Sequence, residues 1–320
     1  MSNPALDVSS SVFSVFMLLS LGYAIGRYTR VFSGGVNHLN AFALYIAVPA
    51  EIFLASSRLH IGTQLSAYIL CYACATLVLW SLIAVAYGSV LHKSRRDVGL
   101  YLIGVGQSNT AYIAVPLFVA TLGNASLVVP IIVMQSTLMT MAALLIIESG
   151  TGQTRSKGSV ASSLARSARN PLIIAGLLGS LIGSIPTPPE VVRGFLEITG
   201  LVLTELAQTA MPVALIALGA GLGTERAGAI EATEGAELVL GVVFKCVLHP
   251  LLAFGFGRYV FQLPSEMLLG LTLVAAMPAP KNTFIFAQAY GVRSKKFDRL
   301  VILSTLGSLI AFGMILISLR

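Results

Sequence analysis

The chain has 320 residues, of which 56% are hydrophobic and only 10% are charged. Ordinary globular domains carry about 25% charged residues, so this chain cannot cover the surface of a soluble fold with charge. A disordered chain needs the opposite balance, low hydrophobicity with high charge. Together with a mean hydropathy of +0.87, the composition excludes both classes and predicts a polytopic membrane protein.

Ten apolar stretches follow one another along the chain, each close to the roughly 20 residues that a helix needs to cross a bilayer. They are too long for the strands of a membrane barrel, which are about 10 residues long and alternate in polarity. We therefore predict an all-α fold with ten transmembrane helices, called spans one to ten here. They lie at about 11–27, 37–56, 63–91, 98–121, 125–147, 171–187, 199–221, 237–260, 265–290 and 298–319.

The basic residues predict how these spans are oriented. With the N-terminus outside, fourteen of the 20 Lys and Arg residues fall in inner loops and four in outer loops. Because inner loops carry the excess of positive charge, we place both termini outside an inner (cytoplasmic) membrane and the central loop in the cytoplasm. The net charge of +7 then reflects topology and anionic lipid headgroups, and no nucleic-acid partner is expected.

A basic central loop, 148–170, divides the chain into two sets of five spans, 1–147 and 171–320. Five is an odd number, so the second set enters the membrane from the other side, which is the condition for inverted repeats. Motifs recur in the same order in both sets: LGYAIG at 21–26 and LGSLIG at 178–183, then AVP at 47–49 and AMP at 210–212. We predict two inverted five-helix repeats, in which the paired glycines serve close helix packing.

Spans four and nine are each interrupted near their middle. Span four contains GVGQSNTAYIAVP at 104–116, and span nine contains AMPAPKNTF at 276–284. Proline removes a backbone donor and clashes with the preceding turn, and lipid cannot satisfy the backbone groups that are freed. We predict broken helices that cross inside the protein, as in secondary transporters. A simple packing kink at Pro116 is the alternative.

Lys281 follows Pro280 at the predicted start of a half-helix. A cation beside a helix N-terminus is repelled unless an anion lies between them, and a buried ammonium is usually functional or paired. The position therefore predicts an anionic substrate of the carboxylate type. A fixed ion pair with Glu51 or Glu205, or a side chain that reaches the membrane surface, is the alternative.

Other ionisable residues lie within the predicted spans. Lys245 and His249 are four residues apart, so they share one face of span eight. Glu51 and His249 are candidates for carrying a proton or a cation, although a hydrogen-bonded core histidine is the alternative for His249. Glu237 lies near the end of a span and is expected to be solvated.

Four segments resemble the auxin efflux carrier family, which includes plant PIN-type carriers and bacterial malate or malonate permeases and is related more distantly to the bile acid:sodium symporters. The segments are LNAFALYIAVP at 39–49, NTAYIAVPL at 109–117, AMPVALIALG at 210–219 and MPAPKNTFIFAQAY at 277–290. The resemblance covers nearly the whole chain and keeps the order of the segments.

The resemblance implies ten helices in inverted repeats, a scaffold domain, a transport domain and a substrate site where spans four and nine cross. It also implies elevator-like alternating access. The long hydrophilic loop of many plant members is absent, as in bacterial members. Glu51 and Lys281 stand where apolar or small residues are expected in plant carriers, which favours a small, more highly charged acid over auxin.

We therefore expect a secondary active transporter of small organic anions, mono- or dicarboxylates such as malate or malonate. An enzyme is not expected, because the chain lacks a compact His/Asp/Glu metal cluster, a G-x-S-x-G elbow and a phosphate loop. No cofactor or metal is expected, and a homodimer is compatible with the fold. Substrate-binding candidates are Asn109, Thr110, Tyr112, Pro116, Pro278, Pro280, Lys281 and Asn282, and coupling candidates are Glu51, Gln107, Lys245 and His249.

The mode of coupling stays open on the sequence alone. Protons could pass through Glu51 or His249, sodium could bind the polar side chains of spans four and nine at Gln107, Ser108, Asn109 and Asn282, and uniport needs neither. A sodium-coupled carrier like the bile acid symporters, or an uncoupled channel or sensor on the same fold, are the alternative functions.

Overall fold

The structure is a computed structural model, and it describes residues 4–29, 31, 35–58, 63–149, 169, 171–185, 190–224, 232–280, 283, 286–287, 290, 292 and 295–318. These residues form helices and no strand, which confirms the all-α prediction for the described part of the chain. The helices are α1 (Pro4–Tyr28), α2 (Val36–Ser57), α3 (63–90), α4 (Arg95–Gly104), α5 (Thr110–Leu122), α6 (129–149), α7 (Pro171–Gly183), α8 (Glu190–Gln208), α9 (Ala210–Thr224), α10 (232–260), α11 (Ser265–Ala276) and α12 (Lys295–Ser318). The central loop prediction falls almost wholly outside the described residues.

Five helical stretches among the described residues are long and apolar enough to cross a membrane. They are Val36–Ser57, Leu65–Val90, Ile198–Thr224, Glu234–Val260 and Lys296–Ile315. Shorter apolar helices lie at Thr110–Leu122, Pro171–Gly183 and Ser265–Ala276. Large hydrophobic side chains stay exposed along these helices, for example Leu77 and Leu251, as expected for surfaces that face lipid.

Prolines shape several of these helices. The π-helical turns Ala43–Ala47, Thr110–Ala114 and Phe244–Leu248 each end two residues before a proline, at Pro49, Pro116 and Pro250 respectively. Proline cannot donate to the carbonyl one turn earlier, and its ring crowds that carbonyl. A wider π turn accommodates this misfit without ending the helix.

The helices group into two compact units that each draw on both halves of the chain. Unit 1 takes Met1–His60, Ala111–Val133 and Ala168–Arg226. Unit 2 takes Ile61–Thr110, Met134–Ser167 and Ala227–Arg320. The units therefore interleave in sequence and do not follow the division at the central loop.

Glycines hold α1 against α9 in unit 1. A methyl group built on Gly22 would lie 2.5 Å from the carbonyl oxygen of Ile216, and one built on Gly219 would lie 2.1 Å from that of Leu19. Each helix thus offers glycines to the backbone of the other, which lets the two backbones touch. This confirms that the glycines of the LGYAIG motif serve packing.

A second glycine contact joins α7 to the end of α2 in the same unit. A methyl group on Gly179 would lie 2.3 Å from the carbonyl oxygen of Phe53, and one on Gly183 would lie 2.1 Å from that of Ser57. The glycines of the LGSLIG motif therefore have the same packing role as those of LGYAIG. In both contacts a helix that carries the motif lies against a helix that carries an A-x-P motif.

Unit 2 contains a buried acid that the sequence analysis placed in solvent. Glu237 is only 5% exposed, so the expectation that it is solvated is wrong. Its carboxylate forms an ion pair with Lys93 and accepts a hydrogen bond of 2.9 Å from the Tyr101 hydroxyl. The Tyr87 hydroxyl donates to its backbone carbonyl at 2.7 Å. Local sequence could not show this, because the partners come from distant segments.

Further ion pairs join helix ends in the same unit. Lys296 lies 2.5 Å from Asp97, the Ser94 hydroxyl donates to Asp97 at 2.6 Å, and Arg299 lies 2.8 Å from Glu234. Burial alone would raise the pKa of Asp97, but the hydrogen bonds from Lys296 and Ser94 outweigh it and hold this pKa below its ordinary value. The ionised carboxylate therefore stabilises the start of α4 against the start of α12.

The glycine contact between α1 and α9 predicts that alanine destabilises the protein more at Gly219 than at Gly200. Gly219→Ala forces α1 and α9 apart, since the added methyl group meets backbone, and we expect it to lower stability by about 1–3 kcal/mol. Gly200→Ala is the matched control, because nothing lies within 4 Å of a methyl group there. Thermal unfolding in detergent measures both, and the account is contradicted if Gly219→Ala is as harmless as Gly200→Ala.

The Asp97 ion pair predicts a pH-dependent difference in stability. Because the folded-state pKa is lowered, the stabilisation is complete above the unfolded-state value of about 3.9 and is lost as pH falls through the folded-state value. We expect Asp97→Asn to cost roughly 1 kcal/mol at pH 7 and progressively less below about pH 4. Thermal unfolding of both proteins across this range is the measurement.

The control for that series is Glu266→Gln, at an exposed acid that begins α11. A wild-type advantage over Asp97→Asn that stayed constant down to about pH 3 would show that the carboxylate charge does not contribute.

Candidate functional site

Two helices of unit 2 end abruptly, and the segments that follow them are joined. Helix α4 ends at Gly104 and is followed by the first break, residues 105–109. Helix α11 ends at Ala276 and is followed by the second break, residues 277–280. The backbone N–H of Asn109 donates to the carbonyl oxygen of Pro278 at 2.9 Å. The structure therefore brings together Asn109 and Pro278, two of the residues predicted to bind substrate.

Side chains satisfy the backbone groups that the breaks set free. Gln135 accepts from the N–H of Ser108 at 3.0 Å, and Ser304 accepts from the N–H of Ala279 at 3.0 Å. Ser308 donates to the carbonyl oxygen of Ala276 at 2.7 Å. All of these groups are buried, so the breaks depend on protein partners, as broken backbone at membrane depth must.

Lys245 lies fully buried beside the first break. Its Nζ donates to Ser108 Oγ at 2.9 Å and lies 3.1 Å from His249 Nδ1. The expectation that Lys245 and His249 share a face of their helix is confirmed by this contact. Among the described acidic residues none forms an ion pair with Lys245, so the neutral groups around it must stabilise any charge that it carries.

The hydrogen bonds around Lys245 form one connected network. His249 Nε2 lies 3.3 Å from Thr76 Oγ1. If Lys245 donates to Nδ1, the imidazole is neutral and its proton sits on Nε2, from which it donates to Thr76; this tautomer is assigned from the contacts. Tyr72 OH lies 3.2 Å from Ser108 Oγ, and Gln135 Nε2 donates to Tyr72 OH at 3.0 Å. His249 is thus a hydrogen-bonded core residue in this arrangement.

The sequence analysis missed several members of this network. Tyr72, Thr76 and Gln135 are buried polar side chains in otherwise apolar helices, and Ser304 and Ser308 support the second break. One signal was available: Tyr72 and Thr76 are four residues apart on α3, as Lys245 and His249 are on α10. The same spacing would have predicted a polar face on each helix.

The remaining predicted residues of unit 2 have mixed outcomes. Gln107 is buried and donates to Thr140 Oγ1 at 3.2 Å. Thr110 begins α5, directly after the first break. Pro280 is buried, and its carbonyl oxygen accepts from the N–H and the hydroxyl of Thr283 at 3.1 and 2.8 Å. Lys281 and Asn282 lie outside the described residues.

The other predicted residues belong to unit 1. Tyr112 and Pro116 are buried in α5, and Glu51 is half-buried in α2, two residues after Pro49. Glu205 is exposed on α8. Within the part of the chain that the structure describes, no three His, Cys, Asp or Glu side chains are grouped so as to hold a metal ion.

Comparisons with known proteins identify the family of this chain. The family model described as "Membrane transport protein" matches residues 7–316. A protein of Rhizobium meliloti (strain 1021) named "Putative malonate transporter" is 25% identical over 307 residues, which are 94% of this chain and 92% of that protein. A protein of Oryza sativa subsp. japonica named "Probable auxin efflux carrier component 5b" is 29% identical over 153 residues, covering 44% of this chain and 37% of that protein.

The family match covers nearly the whole chain, and its members are membrane transporters and not enzymes. The resemblance deduced from the four sequence segments is thereby confirmed. This multi-pass chain belongs to the membrane transport protein family that contains the auxin efflux carriers.

Proposed function

We propose that this protein is a secondary active transporter of small organic anions, mono- or dicarboxylates such as malate or malonate. The observation that carries the proposal is the hydrogen bond between Asn109 and Pro278, which joins two helix breaks inside one unit. Discontinuous helices of this kind form substrate sites in secondary transporters. The relative named for malonate, similar over 94% of this chain, supports a carboxylate as the substrate.

The substrate site of the proposal lies at the breaks, midway through the bilayer. Asn109, Thr110 and the backbone near Pro278 and Pro280 contact the anion, and Lys281 and Asn282 contact its carboxylate. Tyr112 and Pro116, on the helix that continues from the first break, complete the set. Helix α5 begins at Thr110, directly after the first break, and the positive end of its dipole favours an anion there.

The proposed architecture has ten spans in two inverted five-helix repeats, 1–147 and 171–320, on either side of the basic loop 148–170. The two glycine contacts of unit 1 support it, because α1 of the first half packs on α9 of the second and α7 of the second half packs on α2 of the first.

The C-terminal ends of α3 and α10, which come from different halves of the chain, are a second observation that supports the repeats. The last turns of α3 and α10 close in the same way, with His92 at φ 49° and Gln262 at φ 48°. The next residue then donates back to the helix, from Lys93 to Tyr87 at 2.8 Å and from Leu263 to Gly257 at 2.9 Å.

Alternating access is proposed to be elevator-like, with the breaks moving as part of unit 2. Both breaks as far as Pro280, and the described side chains that satisfy their backbone groups, belong to that unit, so the breaks keep these hydrogen bonds when the unit moves. The proposed location is an inner membrane, with both termini outside and the central loop in the cytoplasm, because basic residues concentrate in the inner loops.

Lys281 gives the proposal its sharpest test. Lys281→Met removes the proposed carboxylate partner, and we expect uptake of radiolabelled malonate into proteoliposomes to fall by at least about tenfold, the loss expected from one charge-assisted hydrogen bond. Lys157→Met, in the basic central loop, is the matched control and is expected to transport normally. Unchanged uptake and affinity in Lys281→Met would remove Lys281 from the site.

Wild-type protein without saturable uptake of malonate, malate or related acids would contradict the transport function itself. A flux that rises linearly with concentration would instead favour a channel on the same fold.

A further inference from the structure

Two helices of unit 2 point their C-terminal ends at the same place. Helix α4 ends at Gly104 and α11 at Ala276, and Ser108, just beyond the first end, donates to the carbonyl oxygen of Val274 in the last turn of the second at 2.7 Å. The C-terminal end of a helix dipole carries up to about half a negative charge. The carbonyls of residues 101–103 already accept from the N–H groups of residues 105–107, and that of Ala276 accepts from Ser308. The two ends therefore present the negative ends of two dipoles inside the unit, and not a set of unpaired carbonyls.

Lys245 is placed to neutralise that charge. Its ammonium donates to Ser108 Oγ, and the same hydroxyl donates onward to Val274, so a single hydroxyl separates the cation from the end of α11. None of the described acids forms an ion pair with it. A fully buried ammonium is costly without compensation, and the two helix ends supply compensation of the right sign.

In transporters built on broken helices, the C-terminal ends of half-helices are where sodium ions or protons bind. We propose that Lys245 is a tethered cation that occupies the place of a coupling sodium ion, so that neither folding of the site nor transport of the organic anion requires Na⁺. The test of this proposal by malonate uptake rests on the proposed function, whereas its test by thermal unfolding does not. The proposal decides against the sodium-coupled alternative left open by the sequence.

In the wild-type protein the contacts of Lys245 suit an ammonium better than a sodium ion. Sodium, like other hard cations, prefers oxygen ligands, whereas one of the two acceptors here is an imidazole nitrogen, His249 Nδ1 at 3.1 Å. The opposite ring nitrogen lies 3.3 Å from Thr76 Oγ1, which holds the ring with Nδ1 towards the lysine. The imidazole therefore accepts from the ammonium while Lys245 is present.

The first experiment measures thermal unfolding of the purified protein in NaCl and in choline chloride at equal ionic strength. We expect the wild-type Tm to be the same in both salts. Lys245→Ala opens a cavity beside two negative helix ends. We expect its Tm to be roughly 4 °C higher in NaCl than in choline chloride, as for a ligand present well above its Kd. Val247→Ala, at a half-exposed position on the same helical turn, is the control and should show no Na⁺ effect.

The second experiment measures malonate uptake into proteoliposomes with Na⁺ or choline on both sides. Wild-type uptake should agree within about twofold between the salts, whereas uptake by Lys245→Ala should fall at least about tenfold in choline and recover in Na⁺. Saturable Na⁺ dependence of the wild-type protein in either measurement overturns the proposal. A folded Lys245→Ala protein that ignores Na⁺ in both measurements also overturns it.

Other outcomes remain decisive. If Lys245→Ala does not fold, Lys245→Ser takes its place, because serine leaves a similar cavity and adds a hydroxyl that can satisfy its neighbours. If neither variant folds, the wild type decides alone: a Tm that depends on Na⁺ overturns the proposal, and a Tm that does not supports it. If the wild type carries no malonate, the proposed function fails, while the Tm series still decides whether Lys245 replaces sodium.

Discussion

A polypeptide that crosses the apolar core of a bilayer must find a partner for every backbone N–H and C=O group. Two helix breaks in unit 2 leave backbone groups without helical partners, and Gln135, Ser304 and Ser308 bond to some of them. Tyr72 and Lys245 bond to the hydroxyl of Ser108 within the first break. Ser108 is the centre of this arrangement, because it bonds to Gln135, Tyr72, Lys245 and the end of α11. Buried side chains thus satisfy several of the backbone groups that the breaks set free.

In the proposed site, the C-terminal helix ends before the breaks and the N-terminal helix end after the first break have different roles. The C-terminal ends of α4 and α11 carry negative potential, which Lys245 offsets within the protein. Helix α5, which follows the first break, begins at Thr110, and the positive end of its dipole favours a carboxylate in the proposed site. In unit 1, by contrast, glycine contacts bring α1 onto α9 and α7 onto α2 with backbone touching backbone, which suits a rigid part of a transporter.

The sequence predicted the features that follow from local chemistry. Apolar length predicted the helices, Pro278 and Pro280 predicted the second break, and the four-residue spacing of Lys245 and His249 predicted their contact. It could not predict contacts between distant segments: Lys93 and Tyr101 around Glu237, or Gln135 and Ser304 on the breaks. Each of these polar residues looks ordinary in the sequence of its own helix. Its partner lies in a distant segment and is brought close only by tertiary packing.

The central claim is that the joined breaks hold an organic anion. The most direct measurement is an experimental structure determined in a lipid environment with malonate. The account predicts density for the anion beside residues 107–109 and 277–282, in contact with Asn109 and Lys281. Malonate bound at another site while both breaks remain unoccupied would contradict it.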